Sequence, residues 1–177
     1  MKTARTSTRL LAEIAVAVAL AYVLGMLRLY RMPQGGSITL EMVPVLLVAF
    51  RHGGRAGVLA GIVYGFVQLA QGPSIVHPVQ FLVDYPVAYG LLGLAGWLAK
   101  PAWLGVVAGA AGRYAAHVAS GVLFFAEYAP EGTPALLYSL GYNASYMIPE
   151  TILAAAVTGF LVARTELGRP SRLGSRA

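Results

Sequence analysis

Along the chain, long apolar runs alternate with short segments rich in glycine, proline and charge. Residues 10–27 form the first run, interrupted only by Glu13, with Lys2, Arg5 and Arg9 before it and Arg28 and Arg31 after it. A shorter run at 38–50 closes on Arg51-His52-Gly53-Gly54-Arg55, and a third occupies 56–69. Beyond Gly72-Pro73 and His77-Pro78 a fourth covers 79–99, ended by Lys100-Pro101, and a fifth covers 102–126. The polar segment 127–134 separates it from a sixth at 136–162. Apolar runs of roughly 17–25 residues are long enough to cross a bilayer as helix. The pattern therefore predicts an all-α membrane protein of six transmembrane helices in one domain, 1–164, followed by a basic, disordered tail at 165–177. The run at 38–50, about 20 Å long as helix, is the shortest. It is expected to be tilted, re-entrant or packed among longer neighbours.

Composition agrees, with 58% of residues hydrophobic and 11% charged, against roughly a quarter charged in a water-exposed domain. The net charge of +6 comes from basic residues at the ends of the runs, with no aromatic-interleaved patch. The expected partner is therefore the lipid bilayer and not nucleic acid. With six spans, Lys2, Arg5, Arg9, Arg51, Arg55, Lys100, Arg164, Arg169, Arg172 and Arg176 share one side, and only Arg28 and Arg31 are basic on the other. The positive-inside rule then places both termini in the cytoplasm. A secretory signal peptide is the rival reading of the first run. Its length, and the charge balance it completes, favour a retained helix.

Small residues recur at helical spacing. Gly57, Gly61 and Gly65 form one row and Gly105 with Gly109 another, the arrangement that lets helix backbones approach closely in lipid. Packing within the bundle is the expected role of both. Ala15 with Ala19, and Ala17 with Ala21, line the first helix, where a smooth face serves either internal packing or another membrane protein.

Ionisable groups inside a bilayer are expensive and each needs a reason. Helix rise places Asp84 ~9 Å below the outer face, His117 ~14 Å and Arg113 ~20 Å, with Asn143 ~10 Å, Tyr146 ~15 Å and Glu150 ~21 Å down. Arg113 and His117 share one helix face, as do Asn143, Tyr146 and Glu150. The expectation is a polar column open to the outside and floored by an Arg113–Glu150 ion pair, with Pro149 kinking the helix beside it. Tyr85, Phe124, Phe125, Tyr138, Tyr142 and Tyr146 crowd the same levels. A belt of interfacial aromatics is the alternative role for Tyr128 and Tyr138. Glu13 is expected to snorkel to the cytoplasmic surface, His52 to be an ordinary loop residue, and His77 to sit at the outer rim. Such a pocket suits a flat, cationic, hydrogen-bonding ligand, since aromatic faces attract cations. No cysteine, metal-ligand spacing, HExxH, GxSxG or phosphate-binding loop is present, so neither an enzyme nor a cofactor or metal site is expected. On the residues alone, a small ion-coupled carrier using Asp84, Arg113 and Glu150 stays open beside a receptor.

The strings Gln80-Phe81-Leu82-Val83-Asp84-Tyr85-Pro86-Val87-Ala88-Tyr89-Gly90, Tyr128-Ala129-Pro130-Glu131-Gly132 and Tyr138-Ser139-Leu140-Gly141-Tyr142-Asn143-Ala144-Ser145-Tyr146-Met147-Ile148-Pro149-Glu150 resemble the thiamine-specific substrate-binding (S) component of energy-coupling factor (ECF) transporters. The resemblance covers about residues 65–156. It implies a six-helix bundle in a prokaryotic plasma membrane that captures thiamine from outside and delivers it through a transmembrane T subunit and two cytosolic ATPase subunits. An S component for a thiamine precursor or a related cationic or pyrimidine-containing molecule is the neighbouring alternative. The resemblance places ligand contacts on Asp84, Tyr85, Arg113, His117, Tyr138 and Asn143, with Tyr146 and Glu150 following, and Phe125 where the family commonly has tryptophan. Tyr142 stands in the same aromatic set. It also implies that Ala15 and Ala19, with Ala17 and Ala21 beside them, meet the T subunit. The family often has glutamate at the position of Asp84 and lysine at that of Arg113. Its first-loop tryptophan has no counterpart in residues 32–39, so that either stacking is weaker there or Tyr30 substitutes.

Overall fold

The computed structural model of the protein describes residues 8–73 and 75–165. Most of the expected basic tail lies outside them, as do Lys2, Arg5, Arg169, Arg172 and Arg176. Among the described residues, six helices form the bundle: α1 (Thr8–Met26), α2 (Met42–His52), α3 (Gly54–Val67), α4 (Pro78–Gly96), α5 (Ala102–Phe124) and α6 (Ala135–Arg164). Of these, α1, α4 and α6 are long and apolar enough to cross a membrane, and α5 has 23 residues, about 35 Å of helix.

Two departures from the expected spans matter for the site. The segment at 38–50 is helical only from Met42. Ile38 belongs instead to a short antiparallel hairpin, β1 (Tyr30–Arg31) and β2 (Ser37–Ile38), with Tyr30 opposite Ile38 and Arg31 opposite Ser37. Gly35 and Gly36 turn its tip with φ of 94° and 87°, a region that glycine enters without a Cβ penalty. The short α2 is central to the bundle: Met42, Val45, Leu46 and Ala49 are wholly buried. Longer neighbours shield it, so it has no need of a full membrane-spanning length.

The second departure is inside α4, where Val83–Val87 forms a wide π-type turn between α-helical turns and a 3-10 ending at Leu91–Gly96. Pro86 lies within it. Having no N–H, Pro86 leaves the carbonyl four residues back without its usual donor, and the turn widens around the gap. By contrast, α6 runs through Pro149 as one helix of 30 residues.

The glycine rows explain how α4 sits so deep. A Cβ on Gly61 would run into the Tyr89 carbonyl, and one on Gly65 would strike the backbone at Tyr85 and Pro86. Gly57 meets Ala49 and Gly93, while Gly105 and Gly109 lie against the backbone at Ala95, Leu98 and Leu92. Both rows therefore pack α4 against α3 and α5, backbone to backbone. On α1, Ile14, Val18, Ala21 and Gly25 face the core. Ala15 and Ala19 are exposed, Ala17 is half-buried and Ala21 is fully buried, so the four alanines expected to meet a T subunit divide between opposite faces.

At the end of the bundle holding the α2–α3 turn, Glu13 is not a snorkelling side chain. Its carboxylate meets Arg9 at 3.0 Å, Arg51 at 2.9 Å and His52 Nε2 at 2.6 Å. His52, expected to be a loop residue, is buried. This cluster ties α1 to the end of α2. Trp97 and Trp103 are exposed at the same end, consistent with interfacial anchoring.

Candidate ligand-binding site

At the opposite end, the bundle opens into a cavity of about 440 Å³, within the ~300–1,000 Å³ usual for small-molecule sites. Its walls come from α4, α5 and α6, its roof from the hairpin, and part of its rim from the α3–α4 connection. Nine expected residues line it: Asp84, Tyr85, Arg113, His117, Phe125, Tyr138, Tyr142, Asn143 and Tyr146. Glu150 does not. It is completely buried behind Arg113, whose Nη1 donates to Glu150 Oε2 at 2.7 Å.

The Arg113–Glu150 pair is one part of a larger buried network. Arg113 Nη2 donates to Tyr89 Oη at 3.0 Å and approaches Glu41 Oε1 at 3.4 Å. The guanidinium carbon stands 4.5 Å from the centre of the Tyr89 ring. Glu41 accepts from Tyr64 Oη at 2.8 Å, from Gln68 Nε2 at 3.3 Å, and from Tyr89 Oη. Thr39 Oγ1 donates to Glu150 Oε1 at 2.9 Å. Each buried carboxylate thus has several donors, as removal from water requires. Tyr64 Oη also lies 3.3 Å from the Ala21 carbonyl, joining the network to the α1 backbone.

A second polar group sits in the wide turn of α4. Asp84 Oδ2 accepts from Gln80 Nε2 at 2.7 Å and Ser120 Oγ at 2.8 Å, and Oδ1 lies 3.1 Å from His117 Nδ1. His117 Nε2 is buried with no protein partner among the described residues, an unmet hydrogen-bonding position beside the cavity. Asn143 does not meet Asp84, nor His117 Tyr146, although their depths match. Asn143 donates to the Ser139 carbonyl at 2.9 Å, and its Oδ1 accepts from Tyr146 Oη at 2.9 Å.

The aromatic walls are layered. Tyr85 stacks on Phe81 at 5.4 Å, Phe125 tilts over Tyr128 at 6.0 Å, and Tyr138, Tyr142 and Tyr146 form a ladder with centroids 5.8 and 6.3 Å apart. Tyr30 is exposed and does not line the cavity, so it does not replace the first-loop aromatic. His77 caps α4 by accepting from the Val79 N–H and stacks on Phe124 at 5.3 Å. Sequence reasoning passed over Glu41, Gln68, Gln80, Tyr89 and Ser120. Ionisable groups inside long apolar runs are the ones whose depth is conspicuous in a sequence. Glu41 fell in a segment whose helical start was misplaced, and the others carry no charge.

Fold and cavity together define a multi-pass membrane protein with a polar, aromatic-walled site of small-molecule size at one end. The family model described as thiamine transporter protein (Thia_YuaJ) matches residues 11–167, and the chain belongs to that family. It is 41% identical to the thiamine transporter ThiT of Bacillus subtilis (strain 168) over 83% of this chain and 86% of that protein. It is 30% identical to ThiT of Lacticaseibacillus paracasei over 68% of this chain and 70% of that protein. The solved structure of ThiT from Listeria monocytogenes superposes with a TM-score of 0.82 at 27% identity, covering 91% of this chain and 97% of the other. A transport role, without catalysis, follows from that membership.

Proposed function

We propose that this protein is the substrate-binding component of an ECF importer, capturing thiamine with high affinity in the cavity from the outside. A T subunit and two cytosolic ATPases would supply the energy, with Ala15 and Ala19 on the exposed face of α1 available to the T subunit. Both termini lie in the cytoplasm in this reading. The basic residues Arg9, Arg51, Arg55 and Lys100 support it by gathering at the end of the bundle away from the cavity.

The observation that carries the reading is the chemistry of the cavity. Glu41 and, behind the wall, Glu150 flank the one guanidinium of Arg113, a further carboxylate, Asp84, faces His117, and tyrosine and phenylalanine faces form the walls. A monocation with two flat rings fits both features. Asp84 and His117 offer an acceptor and an unmet ring nitrogen to an aminopyrimidine, while Tyr85, Phe125, Tyr138 and Tyr146 offer faces to the rings.

Equilibrium binding to the purified chain tests this. Thiamine should bind far more tightly than its bare pyrimidine half. Equal affinities would point to a precursor as the ligand. Uptake by liposomes holding this chain alone, driven by a proton or sodium gradient, would instead favour the ion-coupled carrier.

A further inference from the structure

Asp84 is held from two helices at once. Gln80, one turn earlier on α4, and Ser120 on α5 are each 1% exposed. Both donate to the same oxygen, Oδ2, at 2.7 and 2.8 Å. The orientation of the Gln80 amide is fixed, because its Oε1 accepts from the Val76 N–H at 3.2 Å, a group that only donates. Its NH2 group is thereby aimed at Asp84. On α5, Ser120 follows His117 by three residues and shares its face, so the two side chains take one oxygen each. Ser120 meets Oδ2, while His117 Nδ1 lies 3.1 Å from Oδ1.

With two donors on Oδ2, Oδ1 is the oxygen left for His117. A carboxylate only accepts, so the ring nitrogen that faces it at hydrogen-bond distance is the one carrying a proton. In a neutral imidazole the other nitrogen is then an acceptor. That nitrogen, His117 Nε2, is buried with no protein partner among the described residues. The opposite tautomer would set two lone pairs against each other and leave a buried N–H unpaired, and both are costly.

We infer that Gln80 and Ser120 are positioning residues for the ligand: by clamping Asp84 they keep the His117 proton on Nδ1 and present Nε2 as a bare acceptor. The group that matches a bare acceptor is a ligand N–H donor. An aminopyrimidine supplies one in its exocyclic amine, an assignment that rests on the thiamine reading above. Gln80 and Ser120 line the cavity, yet they act through Asp84, which already engages their donors.

Nitrogen-15 spectra of the imidazoles in the purified full chain test the tautomer before any ligand is added. The chain has three histidines, and His117→Gln identifies the signals of interest. Wild-type His117 should show a protonated Nδ1 and a bare Nε2, and added thiamine should shift Nε2 while leaving Nδ1 in place. In Ser120→Ala and in Gln80→Met the two signals should move toward each other, with those of His52 and His77 unchanged. Thiamine affinity should fall about tenfold in each variant, the lower end for a hydrogen bond to a charged group. In an Asp84→Asn background, Ser120→Ala should change affinity by less than about twofold, because residues acting through one group are not additive.

A proton on Nε2 in the wild type, a ring protonated at both nitrogens, or an Nε2 signal unmoved by bound thiamine would overturn the proposal. So would unchanged affinity in both variants. A Ser120→Ala loss that persists in full beside Asp84→Asn would mark a packing role or a direct contact, and would overturn it too. Failure of the wild type to bind thiamine would instead overturn the thiamine reading, while the ligand-free spectra still decide the tautomer and what holds it.

Discussion

Arg113 and Glu150 meet at 2.7 Å in the middle of the bundle, the carboxylate completely buried and the guanidinium nearly so. The guanidinium does more than neutralise one acid: its second terminal nitrogen reaches Tyr89 and Glu41. Two carboxylates from α2's edge and α6 are thereby fixed against α5 through a single planar group.

Removing the guanidinium should leave two buried carboxylates short of a counter-charge. Arg113→Ala should destabilise the protein by about 3–5 kcal/mol, seen as a lower midpoint of thermal unfolding in detergent. The double variant Arg113→Met/Glu150→Leu should recover part of the loss, because it removes one stranded charge with its partner. If it is no more stable than the single variant, the pair is not what holds α5 to α6.

Asp84 tests the other polar group. It accepts from Gln80 and Ser120 while facing His117, so Asp84→Asn keeps the shape but turns one acceptor into a donor and removes the charge. Thiamine affinity should fall by about two orders of magnitude, as expected when a buried charge loses its complement, with thermal stability altered much less. Unchanged affinity would take Asp84 out of the site.

The glycines make a paired prediction about packing. A side chain at Gly61 meets the Tyr89 backbone, while one at Gly141 meets nothing within 4 Å. Gly61→Ala should therefore separate α3 from α4 and destabilise by about 1–3 kcal/mol, the usual cost of overpacking. Gly141→Ala should be neutral or stabilise by up to about 1 kcal/mol through helix propensity. Unfolding midpoints of the two variants, measured side by side, check the contrast.

Much of the architecture was legible because membrane spans announce themselves by length and Arg113–Glu150 by depth. What escaped was set by tertiary context. For the short α2, packing among longer neighbours was one of three expectations, and nothing in 38–50 itself selects it over a tilted or re-entrant segment. The hairpin at 30–38 has only two residues per strand, too few for any alternation to register. Glu13 and His52 looked like surface residues because their partnership crosses 39 positions. Matching depths brought Asp84, His117, Asn143 and Tyr146 to one cavity, yet equal depth did not fix partners. Asp84 chose His117, and Asn143 chose Tyr146, according to which helix faces which.

Tyr142 has a second role beside its place among the cavity aromatics. Its hydroxyl accepts from the Gln34 N–H and donates to the Gly35 carbonyl, both at 2.9 Å, so it pins the hairpin tip over the cavity mouth. Gly36 beside it is pressed against the Tyr146 ring, where a Cβ would come within 2.7 Å of the ring carbons. A hairpin of this size is marginal on its own, and these contacts tether its tip to α6. Tyr142→Phe keeps the ring ladder but removes both hydrogen bonds, worth about 1 kcal/mol each. Thiamine should consequently dissociate about tenfold faster, with a smaller change in association rate. Amide exchange at residues 34–36 should rise in the same variant. A dissociation rate equal to wild type, with exchange unchanged, would show that the tip is held by other contacts and that Tyr142 is only part of the aromatic wall.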